Sequence, residues 1–534
     1  MRVTVEDAPA VVVVGAGPTG TTVATLLAQY GIHCLLLDRW AGVYRQPRAV
    51  HLDDEIYRVI ARLGIAGEFA AISRPAQGLR LLDPTMKVLA EFRRDTSLSV
   101  NGFPQANMFD QPELETLLRA NLERYACVEL RGDAEVTGVT EQRDGRIRVT
   151  YVDRTDGSTH VVDTDYLLGC DGANSIVRTH IGSHMHDMKF DQRWLVIDAA
   201  TPADLDQWDG VHQVCDPVRA GTYMRIGESR YRWEFRLLPG ESADDFRTIE
   251  ALRPLIAPWT QGVTDTEIAL IRVAEYTFRA RIADRWRRGN IFLLGDAAHL
   301  TPPFIGQGLG AGLRDAVNLA WKLAGVIKGE LPPTALDSYE QERKPHAHHM
   351  IRLALVVGWA MTAGGEFGNL ARRLLVTRLQ LIPGMRTKVV DSRTPALHRS
   401  AFVRPTRGRL AGTLCPNPPY PDGKSLDDLL GDGFAMITAV APTAGQRRVL
   451  DNRGVTIHIA PPDSEIAEWL RHGRATAALV RPDRTVMYAG HDVERICQVT
   501  PHFRWDRVSG RQSSGADGHR RRAARRRNCG EIAI

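Results

Sequence analysis

VVVVGAGPTGTTVATLLAQYGIHCLLLD, residues 11–38, decides the fold of this chain. Val11–Val14 is an unbroken β-branched run that reads as a buried parallel strand, residues 19–30 read as a helix, and Cys34–Leu37 reads as the next strand. The glycines therefore sit on a strand-to-helix turn. Gly15 permits the tight turn, Gly17 lets the backbone approach a pyrophosphate, and Gly20 lets helix and strand pack closely. Val14, Gly15, Ala16, Gly17, Pro18, Thr19 and Gly20 form the expected phosphate cradle, with the N–H groups of a helix N-terminus facing the anion. Asp38 ends the second strand 18 residues beyond Gly20, where the acceptor for a ribose 2′-hydroxyl belongs, and Arg39 follows it. A carboxylate there disfavours a 2′-phosphate, so the cradle suits FAD or NAD rather than NADP.

Two later segments narrow the reading. LLGCDGANSIVR, residues 167–178, runs a strand into Asp171 and Gly172 with Arg178 after them; a turn in which the Asp caps a helix has the same shape. NIFLLGDAAHLTPPFIGQG, residues 290–308, delivers Leu294, Gly295 and Asp296 at the end of a strand. It then passes through a stiff loop, Pro302, Pro303, Gly306 and Gly308, whose few side chains let it lie against a planar ring. Residues 309–326 read as the following helix, with Leu313, Val317, Ala320, Trp321 and Ala324 near helical spacing. The N-terminus of such a helix stabilises a nearby anion by about 0.3–1 kcal/mol when exposed and up to about 2 when partly buried.

In this order the three segments resemble the single-component, class A FAD-dependent aromatic hydroxylases, strongly over residues 11–344 and more weakly to 483. YRQPRAVHLDDE (44–55), CDPVRAG (215–221) and PPFIGQG followed by GLRDAVNLAWKL look most like the 3-(3-hydroxyphenyl)propionate and 3-hydroxycinnamate hydroxylases. The resemblance implies an α/β fold: a Rossmann-like FAD-binding domain from residues 1–184 and 282–404, and an inserted antiparallel-sheet substrate domain at 185–281. A small thioredoxin-like region at 405–500 and a basic tail at 501–534 complete it. It implies FAD as cofactor, NADH (or NADPH) as co-substrate, and a small aromatic substrate hydroxylated ortho to a phenol with O2. Another phenol, a polyketide or an antibiotic suits the same motifs, because pocket residues are not legible in them. Residue by residue, it assigns Asp296 to the ribityl chain, Arg48 to the vicinity of the pyrophosphate, Gln111 to a cofactor contact, and Asp171 and Gly172 to FAD and the path of the nicotinamide. Gln111 also suits an ordinary first-turn position before Pro112. One departure stands out: the family's Asn two residues after GQG is Gly310 here, so backbone groups or Asn318 would have to replace its contact.

Between the second and third motifs the chain reads as strands. In YRWEFRLL, Tyr231, Trp233 and Phe235 share one face and Arg232, Glu234 and Arg236 the other. The aromatic face is expected to roof a substrate cavity, although a sheet with one buried face explains any single one of these residues. Tyr223 and Arg225, in GTYMRIG, are the candidate catalytic polar groups, since a phenol needs help losing its proton and an acid tail needs a cation. Short strands are expected at 434–438, 455–459 and 477–480 in the C-terminal region, which has no CxxC and so reads as support or a homodimer contact rather than a redox module.

Composition agrees with a globular enzyme: 534 residues, 43% hydrophobic and 25% charged, are enough for two or three cores. No apolar run reaches the ~18 residues a spanning helix needs and no signal peptide precedes the first strand, so a cytoplasmic protein is expected. Seven scattered cysteines argue against a disulfide framework or zinc site. HAHHM, residues 346–350, offers only His346 and His349 to one helical face with no carboxylate, so no metal is expected. From Pro501 onward nine arginines face three acids, so the rest of a chain of net charge +5 carries about −1. GHRRRAARRRNCG reads as a solvated tail rather than a nucleic-acid arm. A noncatalytic FAD-binding protein with a nucleic-acid-binding tail is the distant alternative.

Overall fold

The computed structural model describes residues 4–5, 8–44, 48–362, 394–406 and 408–504, so the Arg-rich run of the tail lies outside the described residues. Val11–Val14 stands inside a six-stranded sheet with the order Arg287–Arg288, Ile291–Leu293, Tyr166–Gly169, Val11–Val14, Cys34–Leu37, Val128–Arg131. All pairs are parallel except the short edge strand. Every residue of Val11–Val14 and Cys34–Leu37 is buried, in one core with helix Pro18–Gln29 and with Ala134, Val136, Val149 and Val162 of a separate, largely antiparallel sheet, and this is why those segments are unbroken apolar runs. Val14 pairs with Gly169, and Gly169 with Leu293, so the three motifs leave neighbouring strands at the same carboxyl edge. Ligands of open α/β sheets bind at that edge.

Close packing holds the motifs together. Gly15 has φ +98°, and a Cβ on it would stand 2.4 Å from the Cys170 carbonyl oxygen. Helix Pro18–Gln29 follows the turn, and helix Gly308–Ile327 lies against it, with the Gly312 position 2.2 Å and the Gly295 position 2.8 Å from Thr19 Oγ1 once a Cβ is added. A methyl group at either place would push the first and third motifs apart.

A second, eight-stranded sheet has the order His299–Leu300, Ala269–Ala283, Met185–Ala200, Arg230–Arg236, Gly221–Arg225, Val211–Val214, Gly78–Leu82, Val88–Arg93. It is antiparallel apart from the Val211–Val214 and Gly78–Leu82 pair. Its last two strands come from residues upstream of the second motif. Tyr231, Trp233 and Phe235 do share a face, but that face is the outer one. It packs with Tyr223, Leu252, Ile256 and Trp259 into a core beneath helix Ile249–Ile256. The aromatic roof expected from the alternation is therefore turned around. Period two separates the faces of a strand but does not say which face looks at the neighbouring domain, and here both are covered.

The C-terminal region is a four-stranded mixed sheet, Thr456–Ile459, Ala435–Thr438, Ala477–Val480, Val486–Gly490, flanked by helices Ala444–Asn452, Glu465–His472 and Val493–Val499. Its strands fall within a residue or two of the positions read from the sequence. Two ionic bridges fasten it to the FAD-binding body. Arg58 donates to both oxygens of Asp427, at 2.6 and 2.7 Å, and Arg481 reaches Glu342 at 2.9 Å. Among the described residues no helix is long and apolar enough to cross a membrane.

Candidate active site

A cavity of about 710 Å³ runs from the carboxyl edge of the parallel sheet to the inner face of the antiparallel one. At the nucleotide end it is lined by Gly17, Pro18, Thr19, Arg48, Gly172 and Asp296. Among the described residues Gly17 has no heavy atom within 4 Å of where a Cβ would be, and none caps helix Pro18–Gln29 with its side chain, so backbone N–H groups are open to an anion there. Leu294 lines the same end, while Val14, Gly15, Ala16 and Gly20 lie behind the wall and shape the turn.

Asp296 stands in a short 3-10 turn, Gly295–Ala297, at the end of strand Ile291–Leu293. Among the described residues none donates a hydrogen bond to its carboxylate. Burial raises its pKa, against the opposing pull of His299 and Arg48. A partly buried acceptor without a partner at the wall of a cavity fits a polyhydroxyl chain, and with the open glycine turn it makes a donor and acceptor set that suits FAD.

The remaining expected residues are placed as follows. Asp38 Oδ2 accepts from Ala16 N at 2.7 Å and Oδ1 from Trp40 N at 2.8 Å, so the acid braces the turn from below while each oxygen keeps a lone pair. Arg39 is exposed, with its guanidinium 5.4 Å from the Trp40 ring centre. Gln111 Oε1 accepts from the backbone N–H groups of Arg48 and Ala49, at 3.0 and 2.6 Å, and thereby fixes the Arg48 loop at the cavity wall. Asp171 Oδ2 accepts from Val177 N at 3.1 Å, the helix-capping use of this motif. Arg178 reaches the carbonyl oxygens of Ala297 and Ala173, at 3.0 and 2.7 Å, and ties the second motif to the third. Pro303, Gly306 and Gly308 line the cavity, and Gly306 backs onto His51, a group that burial pushes down to about 4 and so keeps neutral.

Tyr223 and Arg225 are not at the cavity. Tyr223 is 1% exposed in the outer core, with ring centres 5.7 Å from Trp259 and 5.6 Å from Trp233. Arg225 closes a hairpin turn by donating to the Gly227 and Glu228 carbonyl oxygens. Their neighbours in the strand, Thr222 and Met224, face inward instead.

The inner face carries a charged belt that the sequence reading missed. Asp198 pairs with Arg232 on one side and Arg272 on the other in the strand register. Its carboxylate accepts from Arg232 Nε and Nη2 at 2.7 and 3.1 Å, and Arg272 Nη2 lies 2.9 Å away. Arg232 Nη1 also donates to the Arg48 carbonyl oxygen at 2.9 Å, joining the belt to the nucleotide end. Arg272 Nη1 donates to the Tyr276 hydroxyl at 2.8 Å. Glu234 faces the cavity beside them; burial raises its pKa, with Arg232 and Arg272 opposing. Beside the belt the wall carries an aromatic patch: the Trp194 ring lies 5.4 Å from Phe278 and 6.0 Å from Phe304, which comes from the loop between Pro302 and Gly308, the flavin loop of the expected site. The legible signal was Asp198, a lone acid in the apolar run LVIDAA, and an acid in such a strand needs a partner.

The FAD binding domain family matches residues 8–354. The chain belongs to that family. The 3-(3-hydroxy-phenyl)propionate/3-hydroxycinnamic acid hydroxylase of Burkholderia cenocepacia (strain HI2424) is 32% identical over 552 residues, 97% of this chain and 100% of that one. The probable NADH-specific resorcinol 4-hydroxylase of Rhodococcus jostii (strain RHA1) is 35% identical over 352 residues, 66% of this chain and 65% of that one. Among solved structures, aklavinone-11 hydroxylase in complex with FAD and aklavinone has a TM-score of 0.76 at 23% identity, covering 93% of this chain and 99% of that one. This protein is thus an FAD-dependent aromatic monooxygenase with the fold expected from its three motifs. The helix that follows the flavin loop has Gly310 where the family carries Asn. Asn318 does not replace it, because its side chain is buried in hydrogen bonds to Glu342 and Lys322 at 2.7 and 2.8 Å.

Proposed function

We propose that this hydroxylase acts on a phenolic acid, 3-(3-hydroxyphenyl)propionate and 3-hydroxycinnamate, giving the 2,3-dihydroxy product at the expense of NADH and O2. The observation that carries the proposal is the belt of Arg232, Asp198, Arg272 and Glu234 beside the aromatic patch of Trp194, Phe278 and Phe304. The two guanidinium groups of the belt only offset Asp198 and an ionised Glu234, but the cavity as a whole is lined by Arg48, Arg94, Arg232, Arg272 and Arg279 against Glu234 and Asp296, so its potential favours an anionic substrate, while Trp194, Phe278 and Phe304 hold a ring. The names of relatives matching over nearly the whole chain support the same substrate.

Bound FAD supplies the electron transfer from the nicotinamide and the activation of oxygen. The protein's own residues do the rest. Asp296 and the open turn at Gly17 anchor the cofactor, and Trp194, Phe278 and Phe304 exclude water beside the substrate ring. A phenol loses its proton near pH ~10 unaided. Glu234, whose Oε1 stands 3.9 Å from Arg232 Nη1, takes that proton at its carboxylate in the ionised form, and the Arg272 guanidinium steadies the resulting phenolate. A groove of about 290 Å³ lined by Arg178, His184, Arg279 and Arg281 adjoins the cavity at Ala173, Arg279 and Leu300 and receives the nicotinamide dinucleotide. Surface pairs Arg279–Asp191 and Arg281–Asp187 moderate its charge.

The test is NADH oxidation by the purified protein with 3-(3-hydroxyphenyl)propionate, 3-hydroxycinnamate or resorcinol, with catechol product and hydrogen peroxide both measured. Stimulation by the acids with product equal to NADH consumed is expected. Coupled turnover of resorcinol alone would overturn the acid reading in favour of a simple phenol, which the 35% identity of the resorcinol hydroxylase over 352 residues makes the second choice.

Glu234→Gln separates proton removal from binding. Its kcat/KM should fall about a hundredfold, within the range of general-base contributions. The carboxyl must be ionised to act and its pKa is raised, so parent kcat/KM declines as pH falls through that raised value, whereas the variant lacks this acid limb. An acid limb unchanged in Glu234→Gln would assign proton removal elsewhere.

A further inference from the structure

The N-terminus of the flavin-loop helix is held by a buried ring of side chains that joins Gln307, at the cavity, to Arg314, Asp53 and Glu55 behind it. Arg314 is 7% exposed. Its Nη1 donates to Gln307 Oε1 at 2.8 Å, and its Nη2 donates to Asp53 Oδ2 at 2.7 Å and Glu55 Oε2 at 2.9 Å. Gln307 Nε2 closes the ring on Asp53 Oδ2 at 2.8 Å. The other Asp53 oxygen accepts from Ile56 N at 2.9 Å and caps helix Asp54–Arg62. Gln307 is the residue on which helix Gly308–Ile327 begins, and it lines the cavity. The ring therefore fixes where that helix starts relative to strand His51–Asp53.

Gly310 belongs to the same device. A Cβ there would lie 2.8 Å from Arg314 Nη1 and 3.0 Å from Ile56 Cγ1. The guanidinium, four residues along the helix, fills the space that a side chain at 310 would need. We propose that Arg314 is the positioning residue of the flavin loop: with Gly310 vacating the space, its planar fork holds Gln307 against Asp53, and the alignment of the helix N-terminus with bound FAD depends on this pair. The inference rests on the FAD site already described and adds a residue outside the cavity.

The effect is one of alignment, because Asp53 and Glu55 together more than balance the single guanidinium. A helix N-terminus favours a nearby negative charge only while aimed at it, so misalignment weakens the hold on the reduced, anionic cofactor more than on the oxidised one. Lysine keeps the charge but cannot serve Gln307 and both carboxylates in a plane.

Gly310→Ala, Arg314→Lys and the double variant are to be titrated as apoprotein with FAD, and the two-electron midpoint potentials of the reconstituted proteins measured. Each single variant should raise the Kd for FAD about tenfold and lower the potential by about 30 mV, equivalent to a further tenfold loosening of the reduced form. The double variant should be no worse than either single, since both break one contact. Parent-like Kd and potential in Gly310→Ala, a weaker Kd with the parent potential, or additive effects in the double variant would each overturn the proposal. If Arg314→Lys fails to fold, Gly310→Ala decides by the same two readings.

Discussion

Asp296→Ala should purify colourless, with an FAD affinity reduced a hundredfold or more. Its carboxylate sits at the cavity wall without a hydrogen-bond donor among the described residues, and burial already raises its pKa. A group kept at that cost has a use, and the use fitting its place is to accept from cofactor hydroxyls. Each hydrogen bond to a charged acceptor contributes about 1.5–3 kcal/mol, so losing two outweighs the relief of no longer burying a carboxylate in the apoprotein. Asp296→Asn keeps an acceptor and should fall between parent and alanine variant. The pH dependence has a definite sign. Binding favours the ionised carboxylate, whose pKa in the apoprotein lies above the usual aspartate value, so FAD affinity weakens as pH falls through that raised value and is constant above it. Stoichiometric flavin in purified Asp296→Ala, measured by absorbance and by release on denaturation, would remove Asp296 from the cofactor site.

The nucleotide end of the site was legible because each of its demands falls on consecutive residues. Gly15 must take φ +98° beneath Cys170, Gly17 must leave space, and Asp296 must end a strand, and all three appear in short runs with few substitutes. The substrate end was not, for two reasons. The belt of Asp198, Arg232 and Arg272 spans three strands, each pair more than 30 residues apart, and only the strand register brings them side by side. Alternation along Arg230–Arg236 was read correctly as two faces, but choosing the aromatic face as the cavity wall followed the ordinary expectation that apolar residues line an aromatic pocket. Here helix Ile249–Ile256 covers that face, and the charges turn inward because each is paired. Tyr223 was drawn to the outer core by the same parity. The Gly310 departure shows the converse: a missing side chain in the motif was visible at once, but its replacement by Arg314 depends on side-chain packing that spacing does not reveal.

Arg481→Met should lower stability by about 3–5 kcal/mol, the usual consequence of removing one partner from a buried ionic network. Arg481 is fully buried and joins three elements of the protein. It donates to Glu342 Oε2 at 2.9 Å and to the Phe402 carbonyl oxygen at 3.2 Å, pairs with Asp483, and stands 5.4 Å from the Trp321 ring centre. Glu342 also accepts from Lys322 and Asn318, at 2.9 and 2.7 Å, on the flavin-loop helix. The network thus runs from the C-terminal sheet through helix Asp337–Thr362 to the helix that begins at the flavin loop. Loss of Arg481 takes the guanidinium from Asp483, which keeps the Thr485 N and Trp321 Nε1 donors at 3.1 and 3.3 Å, and leaves Glu342 with a weaker set of cations. The arginine and lysine charges hold the Glu342 carboxyl down to about 2, overcoming the effect of burial. Its contribution to stability is therefore full above the ordinary glutamate range near ~4.5 and is lost as pH falls from there toward about 2. Without Arg481 the folded-state value rises, and acid unfolding should begin at a higher pH than in the parent. Far-ultraviolet circular dichroism and flavin fluorescence, followed together during acid titration, should show sheet and cofactor lost in one transition in both proteins. A variant whose C-terminal region melts first while flavin stays bound would make that region a separable appendage rather than part of the body that holds the cofactor.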